Sequence, residues 1–167
     1  MLVLFSLNRQ MSVLMEMTAR VEYALLALLE MAIYHARKEP LKLNEITLKY
    51  AIPDRYLEQI LIHLRHSGII QSQRGARGGY ALTREPRQIT IWEIVASIEG
   101  EVGQEQIRQR KSKRPDMAVI ETAEKDLVYG IWQKARAASH TVLSHYTLQD
   151  LCQQLEDAKQ VEPMYHI

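Results

Sequence analysis

Three features of the sequence predict a mainly α protein, a helix-turn-helix with a two-stranded β wing and a long C-terminal helix for dimerisation. Two short apolar-periodic segments, near 43–50 and 54–67, are separated by only Ala51, Ile52 and Pro53. An Arg-Gly-rich hairpin follows them directly, and a helical stripe of apolar residues runs from Ile120 to Val142. The bulk composition permits this reading. The chain has 167 residues, 47% hydrophobic and 25% charged, enough for one globular domain plus an assembly element. Lys and Arg total 21 against 20 Asp and Glu, a formal charge of +1, so any case for nucleic acid has to come from local charge. The single cysteine, Cys152, excludes an intrachain disulfide and any metal site built on two thiolates of the same chain, and it suits a reducing, cytoplasmic setting.

Taken in order, Leu2, Val3, Leu4, Phe5 and Leu7 form an apolar cluster, but the first basic residue, Arg9, comes after it. A secretory signal has the reverse order, and the run is far too short to span a bilayer. Residues 1–14 are therefore expected to be a flexible N-terminal extension, with no membrane partner. From Thr18, an N-cap residue, Val21, Ala24, Leu25, Leu28 and Ala32 recur at helical spacing, and Leu26, Ala27 and Leu29 make the helix apolar on most sides. Such a helix belongs at the centre of a core, ending near Ala36.

The short helix from Leu43 to about Tyr50 stops at Ala51-Ile52-Pro53, because Pro53 disfavours helical geometry at Ile52. Pro53 also suits the start of the next helix, where Asp54 places a carboxylate in the first turn. That helix should end at Ser67, with Gly68 at the C′ position. Leu57, Ile60, Leu61 and Leu64 share one face of it and pack inward. The other face carries Arg55, Tyr56, Gln59, His63 and His66. Two helices joined by so tight a turn are the arrangement in which the second enters a DNA major groove.

Ile69–Gln73 and Tyr80–Thr83 read as strands around Arg74-Gly75-Ala76-Arg77-Gly78-Gly79, where the glycines let the backbone turn and leave Arg74 and Arg77 unobstructed. Between Arg55 and Arg87 six arginines stand against Glu58 and Glu85, a local excess of four positive charges. A helix from Ile91 to Glu99 should stop at Gly100. Residues 101–118 then form an exposed basic loop containing Arg110, Lys111, Lys113 and Arg114. In the stripe, Ala123, Leu127, Ile131, Ala135, Ala138 and Val142 follow one another at steps of three or four. A helix of that length, about 35 Å, outruns the core of so small a domain and calls for a partner, most simply a second copy. A last helix from Thr147 to about Ala158 packs Leu148, Leu151 and Leu155. The expected units are 15–100 for DNA binding and 119–160 for dimerisation, with 161–167 as a tail.

With these parts in place, the chain resembles the IscR-type winged-helix regulators of the bacterial Rrf2 family. The resemblance rests on Met17-Thr18-Ala19-Arg20-Val21-Glu22-Tyr23-Ala24, on Ile52-Pro53-Asp54-Arg55-Tyr56-Leu57-Glu58-Gln59-Ile60 and on Arg74-Gly75-Ala76-Arg77-Gly78-Gly79-Tyr80-Ala81-Leu82. It implies a homodimer on palindromic operators in double-stranded DNA, with Arg55, Tyr56 and Gln59 in the major groove and Arg74 reaching the minor groove. The chemistry agrees, since Gln pairs with adenine, Arg with guanine or phosphate, and a narrow minor groove attracts Arg. Several family members hold an iron–sulfur cluster on three cysteines and a nearby histidine ahead of the long helix. This chain places Asp126 and Tyr129 at two of those positions and lacks the cysteines, so no cofactor is expected there.

Other readings remain beside these. The wing could be a solvated hairpin, and the basic loop a solvated loop rather than a phosphate or effector contact. Cys152 reads as a small buried hydrophobe ahead of a redox sensor. His63 and His66 read as DNA contacts or exposed groups ahead of a metal pair. No phosphate-binding loop, HExxH pair or nucleophile with base and orienting acid stands in the sequence, so an enzyme is not expected. The competing functions are a winged-helix module that binds an unknown protein or small-molecule effector, and an iron or redox sensor with atypical ligands.

Overall fold

The computed structural model describes residues 17–37, 39–75, 78–100 and 122–161. The N-terminal extension, Arg77, the basic loop and residues 162–167 of the tail lie outside them. Helix α1 (Ala19–His35) starts where the Thr18 hydroxyl accepts a hydrogen bond from the Val21 N–H at 3.3 Å. It is the central element. Val21, Ala24, Ala27, Leu28, Met31 and Ala32 are buried, and α1 packs against the other two helix-turn-helix members, the wing and the last helix.

Helix α2 (Leu43–Tyr50) opens with the Lys42 N–H donating to the Glu45 carboxylate at 2.7 Å. It closes at Ala51, whose left-handed backbone (φ 53, ψ 38) reverses the chain toward Pro53. Helix α3 (Asp54–His66) buries Leu57, Ile60, Leu61 and Leu64 completely, the four positions that its apolar spacing predicts. After it, Gly68 takes φ +76. The Gly68 N–H donates to the Arg65 carbonyl and the Ile69 N–H to the Leu64 carbonyl, both at 3.0 Å, which satisfies the helix end and aims the chain into the wing.

The wing is an antiparallel pair, β1 (Ile70–Gln73) and β2 (Gly79–Leu82), with Ile70 opposite Leu82 and Gln73 opposite Gly79. Leu41 joins it through two backbone hydrogen bonds with Tyr80, at 2.9 and 2.8 Å, which tie the entry to α2 to the base of the wing. The approach is so close that a Cβ on Gly79 would lie 2.5 Å from the Leu41 carbonyl oxygen.

After a 3-10 turn at Pro86–Gln88, helix α4 covers residues 91–100 and buries Ile91, Ile94 and Ile98. Gly100, read from sequence as the stop, is helical and is the last described residue of this segment, so the end of the helix lies outside the described residues. It lacks the positive φ seen at Gly68 and Gly75, so it does not form the left-handed cap that makes glycine a stop. Helix α5 (Ala123–Ser144) has Thr122 as its N-cap, accepting from the Lys125 N–H. Helix α6 (Leu148–Val161) runs about three residues beyond its expected end at Ala158.

The Thr147 hydroxyl and N–H both donate to the Asp150 carboxylate at 2.7 Å, and the Asp150 N–H returns to the hydroxyl at 3.3 Å, a reciprocal cap. Two further backbone hydrogen bonds, Ile91 N–H to Tyr146 and Leu148 N–H to Ile89, fasten this corner to the start of α4. Leu148 is fully buried in the same core as α1 and α3. By its contacts α6 therefore sits with the winged-helix unit, although the sequence reading grouped it with the long helix. Sequence distance concealed this, because its apolar face would suit either neighbour.

Candidate nucleic-acid interface

Helix α3 turns its apolar face to the core, which leaves Arg55, Tyr56 and Gln59 exposed in its first two turns. Tyr56 is also held from behind. Its ring meets Tyr23 of α1 edge to face, with centroids 5.7 Å apart at 86°. A ring fixed in this way presents its hydroxyl without the full rotamer cost of a free side chain.

His63, expected on the exposed face, is half-buried. Burial first, then the charges of Arg20 and His66, push its imidazole below the ordinary histidine value. His66 is exposed. Arg74 is exposed just past the end of β1, and Gly75 takes φ +105 beside it. The Gly78 N–H closes the tip by donating to the Gly75 carbonyl at 2.9 Å. The Arg65 guanidinium donates to the Ser72 hydroxyl at 3.4 Å, linking α3 to the wing. Not every arginine of the local excess is available to a ligand, because Arg84 is engaged by Glu93 and by the Gln88 carbonyl.

The sequence reading missed Glu30. It is 4% exposed on α1, and its carboxylate accepts from Lys49 Nζ at 2.5 Å and from the Tyr50 hydroxyl at 2.8 Å. A buried carboxylate needs such partners, and here both come from the last turn of α2. The contact holds the Lys49 ammonium above its ordinary pKa, and burial followed by the same carboxylate does so for the Tyr50 phenol. Glu30 thus fixes the end of α2 one residue before the turn to α3. The available signal was an acidic residue at position 30 among the apolar residues of an otherwise core helix.

A second group of exposed side chains lies on α5, where no residue is buried. Leu127 and Ile131 are each 71% exposed and Val142 57%, and Ala135 is exposed as well. Val128, Tyr129 and Trp132 are also exposed and widen the apolar arc beyond the stripe read from sequence. The i, i+4 spacing of Val128 and Trp132 was the overlooked sign. The helix touches the rest of the fold near its C-terminal end, where His140 meets the Trp92 ring at 4.8 Å and Leu143 packs on the core.

A family model described as Rrf2, iron-dependent transcriptional regulator, matches residues 17–154. The chain belongs to the Rrf2 family. The regulator CymR of Bacillus subtilis is 31% identical over 153 residues, covering 92% of this chain and all of CymR. The Rrf2 protein of Nitratidesulfovibrio vulgaris is also 31% identical, over 82% of this chain and 87% of its own length. Among solved structures, CymR of B. subtilis, a global cysteine regulator, superposes with a TM-score of 0.64 at 28% identity, covering 84% of this chain and 98% of CymR. IscR of T. potens gives 0.65 at 26% identity over 93% and 99% of the two chains. This Rrf2 protein is accordingly a winged-helix, DNA-binding transcription regulator and not an enzyme. No helix among its described residues is long and apolar enough to cross a membrane.

The iron named in the family description can be tested against the side chains. A cluster carried on three cysteines does not fit a chain with one. That one, Cys152, is half-buried on α6 against the core, far along the chain from the start of α5, and burial and Glu156 raise its thiol pKa. Asp126 and Tyr129 are exposed on the first turns of α5. Among the described residues no three His, Cys, Asp or Glu side chains converge as metal ligands.

Proposed function

We propose that this Rrf2 protein acts as a homodimer on palindromic operators, with α3 in the major groove and the wing arginines Arg74 and Arg77 in the minor groove. The observation that carries the reading is the exposure of Arg55, Tyr56 and Gln59 on a helix whose opposite face is completely buried, followed at once by the exposed Arg74. Such a helix is held rigidly by the core while its polar side is free to meet base edges. The second copy is supported by α5, which leaves a wide apolar arc uncovered over a length of about 33 Å. Residues 15–100 and α6 would then form the reading head, and Leu127, Ile131, Ala135 and Val142 the seam.

The test is to pass sheared DNA from the host's own genome over the purified protein at near-physiological salt and to sequence what is retained. Enrichment of a palindromic motif is the expected outcome. Retention without enrichment would leave only phosphate binding, and would turn attention to an effector or to the reading of the fold as a protein-interaction module.

A further inference from the structure

Of the three side chains that α3 presents in its first two turns, one is fastened before any ligand arrives. Tyr56 is 41% exposed, and its ring meets Tyr23 of α1 edge to face at 5.7 Å and 86°. The Arg55 guanidinium and the Gln59 amide have no comparable partner among the described residues. Tyr23 is itself a firm support. It is half-buried against the core, and Ala24 and Ala27 beside it on α1 are fully buried. A helical tyrosine without such a neighbour divides its time between χ1 wells, and ordering it on binding costs affinity. The edge-to-face contact favours one orientation in advance, because it sets the positive edge of one ring on the negative face of the other. It draws on the aromatic ring of Tyr23 and not on its hydroxyl.

We propose that Tyr23 is a positioning residue for operator discrimination, acting through Tyr56, whose hydroxyl it holds toward a base edge in the major groove. The inference rests on α3 being the DNA-reading helix. A hydrogen bond to a base edge is sensitive to where the side chain stands, whereas binding to random duplex is carried by phosphate contacts and ignores it. The signature of Tyr23 is therefore the ratio of operator to random affinity and not the general grip on DNA. Helix α1, whose other contacts are those of a core element, thereby takes part in specificity.

The test is a double-mutant cycle read by fluorescence anisotropy, with the duplex enriched by genomic selection set against a random duplex of the same length. It compares the wild type with Tyr23→Leu, Tyr23→Phe, Tyr56→Ala and the pair Tyr23→Leu with Tyr56→Ala, each checked by its melting curve. Tyr23→Leu should lower the operator-to-random ratio about 2- to 10-fold and leave random binding unchanged. Tyr23→Phe, which keeps the ring, should restore the ratio. In the Tyr56→Ala background Tyr23→Leu should lower it no further. A measurement on the wild type does not depend on any variant folding: side-chain couplings by NMR should show one χ1 rotamer of Tyr56 in the free protein, the same as in the complex. An unchanged ratio in Tyr23→Leu, an equal loss on both duplexes, an equal loss in the Tyr56→Ala background, or a rotamer-averaged Tyr56 in the free wild type would each overturn the inference and leave the functional reading intact. A selection that enriches no duplex would instead remove the functional reading on which it rests.

Discussion

At the scale of single residues, Glu30 shows how one charge orders a neighbouring helix. Its carboxylate joins α1 to Lys49 and Tyr50, so Glu30→Ala removes two hydrogen bonds and leaves the phenol without its acceptor. The expected loss is about 2 kcal/mol, measured by urea denaturation, because Lys49 can turn back to water while Tyr50 is only half-exposed. The pH dependence has a definite sign. Both partners have raised folded pKa values, so their contribution is complete below the ordinary values of 10.5 for Lys49 and 10.0 for Tyr50. It is lost as pH climbs beyond them, since the unfolded chain then releases its protons first. Wild-type stability should fall above about pH 10 more steeply than that of Glu30→Ala. Ala51 makes the opposite kind of demand, because its Cβ is carried in a left-handed conformation. Ala51→Gly should raise stability by roughly 0.5 kcal/mol, the relief of that strain exceeding the added entropy of the unfolded glycine.

At the scale of elements, the wing depends on backbones lying closer than side chains allow. Gly79→Ala would drive a Cβ into the Leu41 carbonyl, so the strand pair and the Leu41 tie cannot both persist. DNA affinity should drop with this variant even though no DNA-contacting side chain is touched, and amide exchange of Tyr80 and Leu41 should accelerate. Arg74→Ala, by contrast, should keep the fold and cost operator binding about 1–3 kcal/mol if the guanidinium reads base edges, measured by anisotropy on the selected operator. The elements were largely legible in the sequence because their signals are local. Thr18 caps α1, Gly68 ends α3 and the four-residue apolar face of α3 is fully buried, each as spacing and chemistry dictate. What escaped depended on neighbours distant in sequence. His63 is half-buried through its surroundings in the fold, Glu30 finds its partners on α2, and Arg84 is taken up by Glu93.

At the scale of the whole molecule, two surfaces remain uncovered, a polar one on α3 and an apolar one on α5. In a dimer each copy would bring one reading head, so the two surfaces are energetically linked through the half-site spacing. Leu127→Asp or Ile131→Asp places a charge in the uncovered arc, where burial against a second copy would be costly. Both variants should sediment as monomers with normal melting of the winged-helix core, and their operator affinity should fall far more than their affinity for random duplex. A stable dimer in both would move the seam elsewhere on the molecule.

The corner at Thr147 bears on how the protein can be divided. The linear order of the elements suggests cutting the chain after residue 100 to obtain a free-standing reading head. Such a fragment would lack Leu148, which fills the interior beneath α1, and would lose the two backbone ties from Ile89 and Ile91. Its core would open to water at the place where α6 should return. The chain therefore closes on itself like a clasp, with the long helix as an outward loop of one continuous fold. A functional graft of the reading head onto another protein would have to carry both ends of the clasp, with the insertion made inside the long excursion between them.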